Sequence, residues 1–207
     1  TRPKIPLEDG LLATDGWTLI DDSANFLFDG DKEWEWVKER SAKGGQDWYF
    51  LAYGHDYKSA LRDFTLFAGK IPMPPRYAFG YWWSRYWTYS DKELRSLVNK
   101  FRAYDIPLDV LVIDIDWHYL EGDRGGWTGW TWNRNLFPDP QKFLAWFDEE
   151  GIRSTFNLHP ADGVKCGEDN YAAVARDMDI DPASKQTVPW VSSDKKFITS
   201  MFRNILS

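Results

Sequence analysis

A single cysteine, Cys166, rules out any disulfide within this chain of 207 residues and leaves its redox compartment open. Its only basic neighbour in sequence is Lys165, so nothing marks the thiol as reactive. Histidine is almost as scarce, with three residues, which leaves little for a metal site built on paired imidazoles. Basic charge is in deficit: 25 Lys and Arg stand against 32 Asp and Glu, a net charge of −7. That balance argues against a sequence-independent hold on nucleic acid, whose phosphates need cationic surface. No apolar run reaches the ~20 residues of a membrane-spanning helix, so no membrane association is expected. The opening Thr1-Arg2-Pro3-Lys4 lacks the apolar core of a signal peptide. Neither compartment nor oligomeric state is readable.

Tryptophan is what the chain has in excess, with 13 residues. Seven of them (Trp82, Trp83, Trp87, Trp117, Trp127, Trp130 and Trp132) fall between residues 82 and 132. Indoles fill cores, which accounts for most of them. A cluster beside polar residues also suits sugar, because flat rings stack on the C–H faces of pyranoses.

The patterning divides the chain in two. Up to about residue 55 it reads as short aromatic and β-branched strands, Trp17–Ile20, Asn25–Phe28, Glu35–Val37 and Trp48–Tyr53. Turns rich in Asp, Ser and Gly separate them, at Asp21-Asp22-Ser23, Asp29-Gly30-Asp31 and Lys43-Gly44-Gly45. Four such strands do not close a sandwich, so they read as the end of a larger β domain. A helix over Asp56–Ala68 follows, with Ala60, Leu61, Phe64 and Phe67 on one stripe. The proline run Ile71-Pro72-Met73-Pro74-Pro75 then makes a stiff connector. This predicts two domains, residues 1–70 and 71–207.

Beyond the connector, strands and helices alternate. Strands are expected at Tyr77–Trp83, Asp109–Asp116 and Ile152–Leu158. Ser90 and Glu93 form a capping box for a helix presenting Leu94, Leu97, Val98, Phe101 and Tyr104, which ends before Pro107. A second helix opens at Asp139-Pro140, presents Phe143, Leu144 and Phe147, and closes at Gly151. Further helices are expected at Asp169–Met178 and within Ser193–Leu206. Such alternation implies a parallel α/β sheet with right-handed crossovers. Three strands do not close a barrel, so the choice lies between a small doubly wound sheet and the opening of a barrel. The uncapped final helix and the headless β segment favour the barrel, with the chain a fragment. The Gly- and Trp-rich stretch from Trp117 to Phe137, about twenty residues long, exceeds an ordinary connection and reads as functional.

The second strand organises the rest. Val110-Leu111-Val112-Ile113 is a run buried on both faces, and it gives way to Asp114, Asp116 and His118. Alternation along an extended strand would point those three the same way. In parallel α/β folds ligands bind at the carboxyl ends of strands. Three chemistries fit: an Asp-x-Asp pair holding the divalent metal of a glycosyltransferase, a zinc or manganese set with His118, or carboxylates gripping sugar hydroxyls. The surrounding tryptophans, with Trp83 and Trp132 as expected contacts, favour sugar. His159 at the end of the third strand and Arg85 after the first could reach the same mouth.

Three segments then become recognisable together: Pro72 to Arg85, Leu108 to His118, and Leu158-His159-Pro160-Ala161-Asp162-Gly163-Val164. In that order they resemble glycoside hydrolase family 31, the retaining α-glucosidases, α-xylosidases and α-galactosidases. The resemblance implies that residues 1–70 end an N-terminal β-sandwich and that 71–207 begin a (β/α)8 barrel. It implies a terminal α-linked sugar of an oligosaccharide or glycoside as substrate, and no cofactor or metal. Asp114 matches the aspartate that binds sugar hydroxyls in subsite −1, and Ile115 the apolar neighbour lining that subsite. Asp116, Trp83, Arg85, Trp132 and His159 are expected as further substrate contacts. Trp117 and His118 stand where the family pattern has other residues, and His159-Pro160 where it usually has Asp-Pro, so specificity is open. The family's nucleophile and acid/base are aspartates on later strands, which implies that no catalytic carboxylate lies in this segment. Asp114 and Asp116 cannot be that pair, since a retaining enzyme places its two carboxyls about 5 Å apart across the bond and these two share one strand and one side of the sugar. A non-catalytic carbohydrate-binding protein is the alternative from another class.

Overall fold

A computed structural model of the chain describes residues 10–41 and 44–206. The opening Thr1–Lys4 and Lys43 of the third expected turn lie outside them. The chain divides into two compact units, one up to Met73 and one from Pro74.

The first unit is built on two antiparallel pairs. β1 (Trp17–Asp21) pairs with β4 (Trp48–Ala52), placing Leu19 opposite Phe50 and Ile20 opposite Tyr49. β2 (Leu27–Phe28) pairs with β3 (Val37–Lys38). Arg40 bridges Asp22 and Asp47 at 2.7 and 2.8 Å, tying the turn after β1 to the entry of β4. Helix α1 (Tyr57–Ala68) starts at Asp56, whose carboxylate accepts the Ser59 N–H at 3.1 Å. Its Phe67 stacks on Tyr49 at 4.9 Å, so α1 covers one face of the β1–β4 pair. The opposite face, with Trp17, Leu19, Trp48 and Phe50, lies exposed.

The second unit is a three-stranded parallel sheet in the order β5 (Trp82–Trp83), β6 (Val110–Ile113), β7 (Arg153–Phe156). Helix α2 (Asp91–Ala103) joins β5 to β6, and α3 (Pro140–Glu150) joins β6 to β7. Two more helices follow, α4 (Tyr171–Asp177) and α5 (Lys195–Asn204). The expected capping box is present: Ser90 Oγ accepts the Glu93 N–H at 3.4 Å and Glu93 Oε2 accepts the Ser90 N–H at 2.8 Å.

Register assigns the faces. Trp83, Leu111 and Ser154 stand side by side, as do Trp82, Val110 and Arg153 on the opposite face. Leu111 and Ile113 join Leu94 and Val98 of α2 and Phe143 and Phe147 of α3 in the core. Each of these fully buried side chains contributes roughly 1.5–3 kcal/mol. The other face of β6 therefore carries Val110 and Val112 away from the helices.

β2, β3 and all three strands of the parallel sheet are shorter than the pattern suggested, β5 and β6 for reasons visible in their turns. Arg76–Phe79 is a 3-10 turn after Pro75, so only Trp82–Trp83 remain of the strand expected from Tyr77. Gly80 then lies so close to the Asp109 side chain that a Cβ there would come within 2.2 Å of its carboxyl carbon. That closeness lets Asp109 Oδ2 accept the Tyr81 N–H at 2.9 Å. β6 stops at Ile113, and Ile115–Trp117 form a 3-10 turn in place of extended chain to Asp116. Helix α2 ends at Ala103, leaving Tyr104 exposed and not on its buried stripe.

Candidate sugar-binding site

The broken end of β6 changes how its polar residues are aimed. Asp114 keeps extended backbone (φ −80°, ψ 170°), so it continues the parity of Val110 and Val112 and faces away from the helices. The turn that follows cancels the expected alignment with Asp116 and His118. The three do not share one face, which removes the geometric basis for a joint metal set. Among the described residues no group of three or more His, Cys, Asp or Glu side chains is placed to hold a metal ion.

Asp114 is 7% exposed. Its Oδ2 accepts the main-chain N–H of Trp87 at 3.1 Å, and its Oδ1 accepts Asn157 Nδ2 at 2.7 Å. Among the described residues no basic side chain pairs with it. A carboxylate has about four acceptor directions, and two are used here. Asn157 has the parity of Arg153 and Thr155 and extends the ladder through its own N–H to Ile113 O at 2.9 Å. The acid and the amide thus stand next to each other at the carboxyl ends of adjacent strands.

Asp116 takes a different partner, accepting the Thr88 hydroxyl at 2.8 Å. Both acids therefore hold the loop that follows β5. That loop leaves Trp87 half exposed, with the Arg85 guanidinium 4.5 Å above its ring. Arg85 also reaches Tyr89 Oη at 3.5 Å and pairs with neither acid. Ile115, 7% exposed, opens the 3-10 turn directly after Asp114.

The other expected contacts lie elsewhere. Trp83 has the parity of Leu111, and its ring meets Phe101 of α2 edge-on at 5.4 Å. Trp132 packs between Trp117, Phe137 and Phe156 at 5.0 to 5.4 Å. Both rings support the site from the helix side and neither shares a face with Asp114. His159 sits two residues past Asn157 and opens the turn Pro160–Asp162. Its ring meets Trp127 at 4.4 Å, and its Nδ1 is buried without a hydrogen-bond partner. Sequence reading did not single out Asn157 and Trp87, which hydrogen-bond Asp114 here. The signal for Asn157 was its place two residues before His159 on the same parity as Thr155.

The loops after β6 and β7 are fastened to each other along their length. Asp162 accepts the Trp127 N–H at 3.1 Å and returns its own N–H to Trp127 O at 2.8 Å. Lys165 Nζ spans Asp162 at 3.1 Å and Gly125 O at 2.6 Å. The Trp130 indole donates to Gly163 O at 3.0 Å, and the Asp169 N–H to Thr131 Oγ1 at 2.9 Å. Thr128, fully buried, donates to the buried Glu168. Trp127 and Lys165 hold the Asp162 carboxyl below the usual carboxylate range, the main-chain N–H of Trp127 contributing most. His118 is 1% exposed, its Nδ1 2.9 Å from Tyr119 O. Since that partner is a carbonyl, Nδ1 carries the proton. Burial pushes the pKa of His118 below 6.5, opposed by Glu168 and reinforced by His159.

Residues 71–199 match the model of the TIM-barrel domain of glycosyl hydrolases family 31. The chain belongs to that family. The α-glucosidase 2 of Bacillus thermoamyloliquefaciens is 38% identical over 125 residues, 60% of this chain and 15% of that protein. The segment therefore corresponds to a small part of this curated relative. In fold it is similar to a xylosidase from Aspergillus niger, with a TM-score of 0.59, 21% identity, and coverage of 81% of this chain and 22% of that one. A family 31 α-xylosidase from a soil metagenome, solved with xylose, gives a TM-score of 0.51 at 19% identity, covering 70% of this chain and 20% of that one. The parallel sheet thus belongs to part of a family 31 TIM-barrel domain.

Proposed function

We propose that this segment is part of a retaining, exo-acting α-glycoside hydrolase that removes terminal α-linked sugars of the glucose or xylose type. The observation that carries the reading is the Asp114 carboxylate. It stands at the end of a barrel strand, fixed by a main-chain N–H and an amide, and among the described residues no basic side chain pairs with it. An anion so held, with acceptor directions to spare, binds vicinal hydroxyls strongly and orients them. The neighbouring Trp87 offers a flat apolar face, and Ile115 lines the floor. Asp116 would act through Thr88, fixing the loop that bears Trp87 and Arg85. His159 would stand at the outer edge, with Trp83 and Trp132 buttressing the strand ends from behind. The β-strands of the first unit would close an N-terminal β-sandwich, a second sheet covering their exposed aromatic face.

The whole enzyme would form a β-glycosyl ester on an aspartate of a later strand. Water, activated by the acid/base, would then release sugar with its anomeric configuration retained. In the full-length protein carrying this segment, Asp114→Asn is expected to lower kcat/KM for aryl α-glucosides or α-xylosides roughly 10- to 100-fold, the worth of one or two hydrogen bonds to a charged group. Unchanged kinetics in the variant would remove Asp114 from the sugar site. Inverted product configuration in the wild type, read by NMR, would remove the retaining mechanism.

A further inference from the structure

Trp127 is held where no packing need explains it. In the same loop, Trp117 and Trp130 satisfy their indole N–H groups on main-chain carbonyls, at 3.1 and 3.0 Å, as core tryptophans do. Trp127 is 48% exposed. Its main chain is fixed in both directions by Asp162, and the next residue, Thr128, is fully buried. Gly126, at φ +104°, makes this possible: a Cβ there would lie 2.4 Å from Asp162 Oδ2 and 2.6 Å from Lys165 Nζ. An indole costs free energy when left in water, and one on a loose loop could turn inward. This one is anchored on both sides and braced edge-on by His159 at 4.4 Å. Rigid, exposed aromatic surface at the mouth of a barrel is what a partner with an apolar face requires.

We propose that Trp127, braced by His159, is the platform for the sugar on the leaving-group side of the scissile bond, and so selects the aglycone. The idea rests on the glycosidase reading. Asp114 and Trp87 belong to the loops of β5 and β6 around the terminal sugar. Trp127 belongs to the loop after β6, and its ring meets His159, which opens the first turn after β7. A pyranose ring, with one face of C–H groups, is the ligand chemistry that fits; a charged or purely linear aglycone gains nothing there.

The test compares substrates with and without a leaving-group ring, in the full-length protein. Trp127→Ala is expected to raise the ratio of KM for maltose to KM for α-glucosyl fluoride about tenfold, the order of one lost aromatic contact. Trp127→Phe should restore most of it. An unaltered ratio overturns the proposal, as does a loss of equal size on both substrates. Saturation-transfer NMR with maltose separates this idea from the glycosidase reading. Trp127→Ala should lose contacts to the reducing-end ring, and Asp114→Asn contacts to the non-reducing ring. Wild-type protein that binds maltose in this pattern without hydrolysing it would sink the activity and keep the platform. Reducing-end contacts that persist in Trp127→Ala would sink the platform alone.

Discussion

At the scale of single residues, the chemistry of this segment depends on which polar groups are already committed. Asp114 and Asp116 look equivalent in sequence, yet one meets a main-chain N–H and an amide while the other meets a hydroxyl. His118 looked like a third member and is instead a buried neutral imidazole under the loop after β6. Its folded pKa lies below 6.5, chiefly because burial disfavours the cation. The unfolded chain therefore takes up the proton first. Stability is unaffected by this group above pH 6.5 and falls as pH drops from 6.5 toward the folded pKa, below which it levels off. Tm measured between pH 8 and 5 should show that decline, and His118→Gln should flatten it. An identical slope in the variant would mean that another group carries the effect. Asp114 was legible in sequence because an acid ending an apolar strand conflicts with folding. Trp87 and Asn157 were not, because only the paired register and the path of a loop bring them to Asp114.

At the scale of elements, local signals were read correctly wherever they act within a few residues. The capping box at Ser90 and Glu93, the Asp139-Pro140 start of α3 and its end at Gly151 all rest on contacts inside one turn. Strand limits fared worse, because pairing decides them: Arg76–Phe79 carries β-rich composition but folds as a 3-10 turn, and the ladder with β6 takes in only Trp82 and Trp83. The same limit explains why alternation was carried one turn too far past Ile113. Helix α2 sets the spacing between β5 and β6, and its first N–H group also bonds Leu136 O at 3.1 Å, joining it to the end of the long loop. Ser90→Ala should cost about 1 kcal/mol of stability by loss of the cap. Chemical denaturation reads this directly, and a change under a few tenths of that amount would show that the box adds nothing in this context.

At the scale of the whole molecule, the family match and the exposed surfaces point the same way. The matched portion is about 15% of the α-glucosidase relative. The sheet β5–β6–β7 has two edge strands, and the β1–β4 pair leaves four large apolar side chains bare on one face. Unpaired edges and bare aromatic faces invite association between copies. The 207-residue chain, purified alone, is expected to self-associate in light scattering and to show no turnover of aryl α-glycosides. Measurable turnover would place a working pair of carboxyls within these residues. A monodisperse monomer would show that the bare face is tolerated.

The clasp on Asp114 by the Trp87 amide has one more consequence. Every residue except proline supplies that N–H, so the acid keeps its anchor whatever ring, or none, hangs from position 87. On the proposed reading of Trp87 as a sugar contact, exchange of that side chain would change selectivity while the grip on the acid stays intact.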